Sequence, residues 1–200
     1  MTTIINAEFV KSAASIRDSL PIDVAEVAFM GRSNVGKSSL INAICLKRAL
    51  AKSSATPGKT RLINFFDITF KNGELRQKAR FVDLPGFGYA KVSKSELEKW
   101  QQSLTQFIAN RTSIAVFLQL IDSRHPELEI DAATREFLRS FKRQDFAVIE
   151  VFTKIDKLNV KEQNALKAKF PDGIFVSSAS KKGIDGLRDL VYDHIFGGLE

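Results

Sequence analysis

Nine consecutive residues, Gly31-Arg32-Ser33-Asn34-Val35-Gly36-Lys37-Ser38-Ser39, contain the pattern G-x-x-x-x-G-K-[ST]. The glycines let the backbone close around a polyphosphate, so that successive N–H groups face its oxygens. A helix that follows adds the positive end of its dipole. Lys37 places a point charge against the β- and γ-phosphates, and Ser38 offers a hydroxyl to Mg²⁺. Taken alone, the motif leaves open which nucleotide is bound and whether its γ-phosphate is transferred or sensed.

Asp83, 46 residues after Lys37, closes the apolar run 79–82 and precedes Leu84-Pro85-Gly86. A carboxylate at a strand tip beside a phosphate loop can hold Mg²⁺ through water. The Gly86 N–H can reach a γ-phosphate and lose it after hydrolysis, which turns ligand state into loop order. Thr60 follows Thr56-Pro57-Gly58-Lys59, and its hydroxyl can ligate Mg²⁺ only while the γ-phosphate is present; Thr56 is a competing candidate. Lys37, Thr60 and Gly86 are the catalytic candidates, and Ser38 and Thr60 the direct metal ligands.

Thr153-Lys154-Ile155-Asp156 carries the signal for the base. Guanine presents two adjacent N–H donors, which an ionised carboxylate accepts together; adenine presents an acceptor there instead. Asp156 would thus select guanine, the Lys154 stem would cover the base plane, and Ser177-Ser178-Ala179 would offer a backbone N–H to the guanine oxygen.

Short apolar runs alternating with helical patterns predict an α/β layered fold with a mostly parallel sheet. Strands are expected at residues 27–30, 62–70, 80–83, 114–121, 147–152 and 174–176. Helices are expected at 38–46, 94–110, 131–142, 160–169 and 184–196, with Ser93 capping the second and Trp100 packing it onto the sheet. Asn72-Gly73 predicts a hairpin, which makes its two strands antiparallel neighbours. Residues 7–11 could add an edge strand. The expectation is six strands, one antiparallel, flanked by about five helices. Residues 1–22 form an extension packing on a domain of 23–200. Residues 47–59 and 85–92 read as loops at the ligand edge.

The chain has 200 residues and a formal net charge of +7, from 30 Lys and Arg against 23 Asp and Glu. Seven of the basic residues lie between Val27 and Phe66, a stretch without an acid; the remaining 23 balance the 23 acids. Lys47, Arg48 and Lys52 can meet RNA phosphates or form a solvated helix end. Phe87, Tyr89 and Lys91 can stack on bases or pack their own loop. No apolar run is long enough to span a membrane. The single cysteine, Cys45, excludes a disulfide framework and reads as a small core residue, so a cytoplasmic setting is expected. His125 and His194 read as structural rather than catalytic, and no Ser-His-Asp or paired-carboxylate arrangement competes.

The order of these motifs resembles a translation-factor-related GTPase, and more closely the EngB (YihA/YsxC) family of bacterial P-loop GTPases. The carrying residues are GRSNVGKSS at 31–39, PGKT at 57–60, DLPGFGYAKV at 83–92, DSRH at 122–125, TKID at 153–156 and Ser177-Ser178. The resemblance covers residues 8–196. It implies a single three-layer G domain, monomeric, that binds GTP and GDP with Mg²⁺ and hydrolyses GTP. It further implies a role in assembling the large ribosomal subunit, through that subunit or its rRNA, and in normal cell division and septation. A division regulator acting on protein partners is the alternative, with a small-molecule kinase as the more distant one. Phe87 stands where Ras-like switches carry the glutamine that orients water. Slow intrinsic hydrolysis follows, on the order of 10⁻⁴–10⁻³ s⁻¹, with stimulation by a partner or by K⁺. Asn34 sits where K⁺-dependent relatives carry a coordinating asparagine.

Overall fold

The computed structural model describes residues 1–52, 62–86, 94–141 and 145–197; within 94–100 only residue 98 has a described side chain. The elements run β1 (Thr3–Ala13), β2 (Glu26–Gly31), α1 (Lys37–Ile44), β3 (Ile63–Asn72), β4 (Leu75–Asp83), α2 (Lys94–Asn110), β5 (Ile114–Asp122), α3 (Glu129–Ser140), β6 (Ala147–Thr153), α4 (Val160–Lys169), β7 (Ile174–Phe175) and α5 (Ile184–Phe196). One sheet holds them in the order β1-β3-β4-β2-β5-β6-β7.

The sheet has seven strands rather than six, because residues 3–13 form a full edge strand beside β3. Only β3 runs against the others: it pairs antiparallel with both β1 and β4, and the remaining pairings are parallel. The hairpin is longer than its apolar runs suggested, since Lys71, Asn72 and residues 75–79 extend the ladder with a half-exposed face. Its register pairs Asn72 with Leu75, so the turn residues are Gly73-Glu74 rather than Asn72-Gly73. Gly73 alone takes a positive φ, 57°, which is the demand of a II′ turn at its first central position. α3 starts two residues earlier than expected and stops at Ser140; α1 starts at Lys37, directly on its glycine cap.

The period of two in β2 divides the core. Val27 and Phe29 join Leu40, Ile41 and Ile44 of α1 and Leu187 and Val191 of α5 on one face. Ala28 and Met30 join Leu104, Phe107 and Ile108 of α2 and Leu138 of α3 on the other. A smaller cluster of Ile121, Phe152 and Leu166 holds α4. β2 is buried over its whole length, as a central parallel strand must be. Cys45 is buried, as expected, and burial pushes its thiol pKa up to about 12. His194 lies on the exposed face of α5. Trp100 and Ser93 lie outside the described side chains.

Candidate functional site

The parallel strands end on one edge, which is where open α/β sheets bind ligands. Gly31 ends β2, Asp83 ends β4, Asp122 ends β5 and Thr153 ends β6. β3 runs the other way, so its first residues, 63 and 64, reach this edge by their N-terminal end. Gly58, Lys59 and Thr60 precede it and lie outside the described residues, as do Thr56, Phe87, Tyr89 and Lys91.

A cavity of about 290 Å³ opens at this edge and brings together Arg32, Ser33, Asn34, Gly36, Lys37, Ser38 and Ser39 with Asp83, Leu84, Pro85, Gly86 and Lys154. Lys52, Leu62 and Asn64, which the motifs did not single out, also line it. The loop turns on two left-handed residues: Asn34 at φ 61° and Gly36 at φ 105°, the latter capping α1. Lys37, Ser38 and Ser39, the first residues of α1, line the cavity, and N–H groups of a first turn have no partner within the helix. Gly31 and Val35 are buried, and a side chain on Gly31 would meet Leu120 O and Val35 Cγ1 at 3.0 Å.

Lys37 Nζ donates to Asp83 Oδ1, so the loop's cation and the β4 carboxylate face each other across the cavity. Asp83 is buried, and Leu84 N–H donates to Phe29 O, which continues the β2–β4 ladder past Asp83. Gly86 packs against the loop: a Cβ there would lie 2.8 Å from Gly31 O and 3.3 Å from Ser33 N. Ser38 Oγ lies 3.5 Å from Lys52 O.

The T-K-x-D segment is tied to the phosphate loop. Buried Thr153 Oγ1 donates to Val35 O at 2.7 Å. Lys154, itself left-handed at φ 59°, donates from Nζ to Asn34 O at 2.6 Å and to Asp122 Oδ2 at 2.9 Å. Ile155 is buried, with its N–H on Val176 O. Asp156 and Ser177–Ala179 do not line the cavity. Ser177 Oγ donates to Asp156 Oδ1 at 2.6 Å, and this bond, against a smaller opposing effect of burial, holds the Asp156 carboxyl below the usual carboxylate range. The Ser177 N–H is committed to Lys182 O at 2.9 Å. The N–H groups of Ser178 and Ala179 are therefore the ones left for a ligand oxygen.

Asp122 was legible only as part of D-S-R-H, yet it is the hub of this edge. It is 2% exposed and takes Arg124 Nε at 2.9 Å, Arg124 Nη2 at 2.8 Å and Lys154, with Arg32 Nη2 at 3.8 Å. Burial opposes its ionisation, but the bonds from Arg124 and Lys154 prevail and lower its pKa well below the usual range.

Fold and phosphate loop together are those of a P-loop GTPase. The pattern of the 50S ribosome-binding GTPase family matches residues 26–154. A probable GTP-binding protein EngB from Aliarcobacter butzleri (strain RM4018) is 53% identical over 198 residues, covering 98% of this chain and 99% of that protein. The crystal structure of a probable GTP-binding protein engB superimposes with a TM-score of 0.61 at 26% identity, over 86% of this chain and 98% of that one. Era in complex with MgGDPNP and nucleotides of 16S ribosomal RNA shares the fold, with a TM-score of 0.63 at 23% identity over 86% of this chain and 57% of that one. The chain belongs to the EngB family of GTP-binding proteins. It is a GTPase, which sets aside the small-molecule kinase reading. Among the described residues, no helix is long and apolar enough to cross a membrane.

Proposed function

We propose that the chain is a GTP-gated switch in assembly of the large ribosomal subunit, and that the division role implied by the resemblance follows from that. The observation that carries the gating is the fit of Gly86 against Gly31 and Ser33. A γ-phosphate in the loop would lie beside the Gly86 N–H, so the segment leaving β4 would be held in GTP and released in GDP. The description of the matching family as ribosome-binding, and the basic residues Lys47, Arg48 and Lys52 beside α1, support the partner. In this reading residues 23–200 are the G domain and 1–22 its extension.

The roles follow from the geometry. Lys37 leaves Asp83 for the β- and γ-phosphates and there stabilises charge that grows in the transition state. Ser38 and Asp83 offer hard oxygens on one cavity, which suits Mg²⁺: Ser38 would ligate it directly with Thr60, and Asp83 through water. When bound, the metal neutralises phosphate charge. Asp156 would accept the two guanine N–H groups, and the Lys154 stem, whose ammonium is held by Asn34 O and Asp122, would cover the base plane. No described side chain stands as a general base, so attack by water depends on positioning, and hydrolysis is slow without a partner or K⁺.

Co-sedimentation with large-subunit particles tests the switch. More protein should pellet with a non-hydrolysable GTP analogue than with GDP. Equal or absent pelleting with both contradicts it, and capture by a division protein alone would favour the protein-partner alternative.

A further inference from the structure

The N-terminal strand reaches the nucleotide site through a row of polar side chains. Ser12 of β1 is the register partner of Asn64 of β3, and Asn64 is the register partner of Asp83 of β4. Directly opposed residues on neighbouring strands share a face of the sheet. The three side chains thus form one line across three strands, which ends in the cavity. Ser12 Oγ lies 2.6 Å from Asn64 Oδ1. Asn64 Nδ2 lies 3.5 Å from Asp83 Oδ2, a long contact while Lys37 holds the other oxygen, Oδ1.

The sense of the row is set by chemistry. An ionised carboxylate only accepts, so the Asn64 amide must turn its NH₂ to Asp83 and its carbonyl to Ser12. Ser12 must then donate, and its hydroxyl anchors the amide carbonyl in the sense that Asp83 sets. We propose that Asn64 is a positioning residue for Asp83, held in orientation by Ser12, and that β1 is thereby part of the nucleotide machinery.

The two oxygens of Asp83 have different partners and different fates. Oδ1 is on Lys37, a contact the phosphates must break. Oδ2 faces Asn64, a backbone-anchored neighbour that stays. Once Lys37 turned to the phosphates, Asn64 on Oδ2 would keep the carboxylate from rotating and leave Oδ1 free to help hold Mg²⁺. Outer partners of this kind set the orientation, and hence the strength, of a metal-holding group. The inference rests on the proposed role of Asp83 in holding Mg²⁺ through water.

The test is release of a fluorescent GDP analogue from the full chain, titrated with Mg²⁺ and compared with release in EDTA. Asn64→Ala should raise the Mg²⁺ concentration for half-maximal slowing by about tenfold, and Ser12→Ala by about threefold, in the direction of outer-partner losses at metal sites. Release in EDTA should move little in either variant, whereas a merely structural loss would speed it as well. Ser12→Ala leaves the ladder intact, so it reports even if Asn64→Ala folds poorly. Asp83→Asn separates the two readings. If Asp83→Asn shifts the Mg²⁺ titration and neither other variant does, the positioning role is overturned and Asp83 keeps its own. If Asp83→Asn leaves the titration unmoved, the metal role of Asp83 falls and takes this inference with it.

Discussion

At the scale of single residues, the loop motif shows how much depends on backbone that only certain side chains permit. Gly36 at φ 105° is where the chain turns into α1, and Lys37 and Ser38 are placed by that turn. Asn34, also left-handed, gives its carbonyl to Lys154, so the K⁺ candidate is tied directly to the T-K-x-D segment. The K⁺ reading has a plain test. GTP turnover should be faster in KCl than in NaCl at equal ionic strength, and Asn34→Ala should abolish the difference; equal rates in the wild type remove the idea. Asp131 carries a second expectation. It is buried, its Oδ2 has no hydrogen-bond partner among the described residues, and burial raises its pKa against the pull of Arg32 and Arg135. An acid whose folded pKa is raised costs stability above its unfolded pKa, about 3.9. That cost grows as pH rises through the interval up to the folded value. Asp131→Asn should therefore melt higher than the wild type at pH 7, with the gain shrinking as pH falls through 4. An equal gain at both pH values would show that charge is not the cause.

The elements show where sequence reading succeeds and stops. Central strands such as β2 and β5 are continuous apolar runs and were legible as such, as was α2 from its helical spacing. β1 is only optional from sequence because its apolar residues, Ile4, Ile5, Ala7, Phe9, Val10 and Ala13, do not alternate; Ile4, Ala7 and Ala13 are buried, whereas Ile5, Phe9 and Val10 are exposed. Its bulges, near Ile5 and Val10, also break the period of two. Asn64 was invisible for a related reason: one polar residue in an apolar strand carries no motif. What pins the chain after β1 is a buried ion pair that no local pattern reports. Arg111 meets Glu26 Oε1 at 2.6 Å and Oε2 at 2.8 Å, accepts cover from Phe65 and Phe107, and donates to Leu20 O. Glu26 is fully buried. Arg111→Ala should cost about 3–5 kcal/mol in denaturant unfolding, because it strands that carboxylate; Glu26→Gln with Arg111→Met together should cost much less. A small loss in Arg111→Ala would mean that Arg80, 3.7 Å from Glu26, suffices.

Over the whole molecule, the net charge of +7 is a property of one segment. The seven surplus cations run from the phosphate loop to β3, and one of them, Lys37, faces Asp83 inside the site. Lys47 and Arg48 follow α1 and lie outside the cavity lining, whereas Lys52 lines the cavity. The sequence order of the motifs was sufficient to place four of them on one edge, because parallel strands put their C-terminal ends there. It could not say that Asp122 ties the phosphate loop to the T-K-x-D segment, since that contact joins residues distant in the chain.

The central claim is that guanine nucleotide, read at Asp156, controls contact with the large ribosomal subunit. Asp156→Asn exchanges the acceptor carboxylate for an amide that complements xanthine, and should weaken GTP by about a hundredfold while admitting XTP. The decisive measurement is pelleting of the Asp156→Asn protein with large-subunit particles in the presence of non-hydrolysable GTP or XTP analogues. The account predicts association driven by the XTP analogue and not by the GTP analogue at equal concentration. Association that ignores the nucleotide, or still follows the GTP analogue, would contradict it.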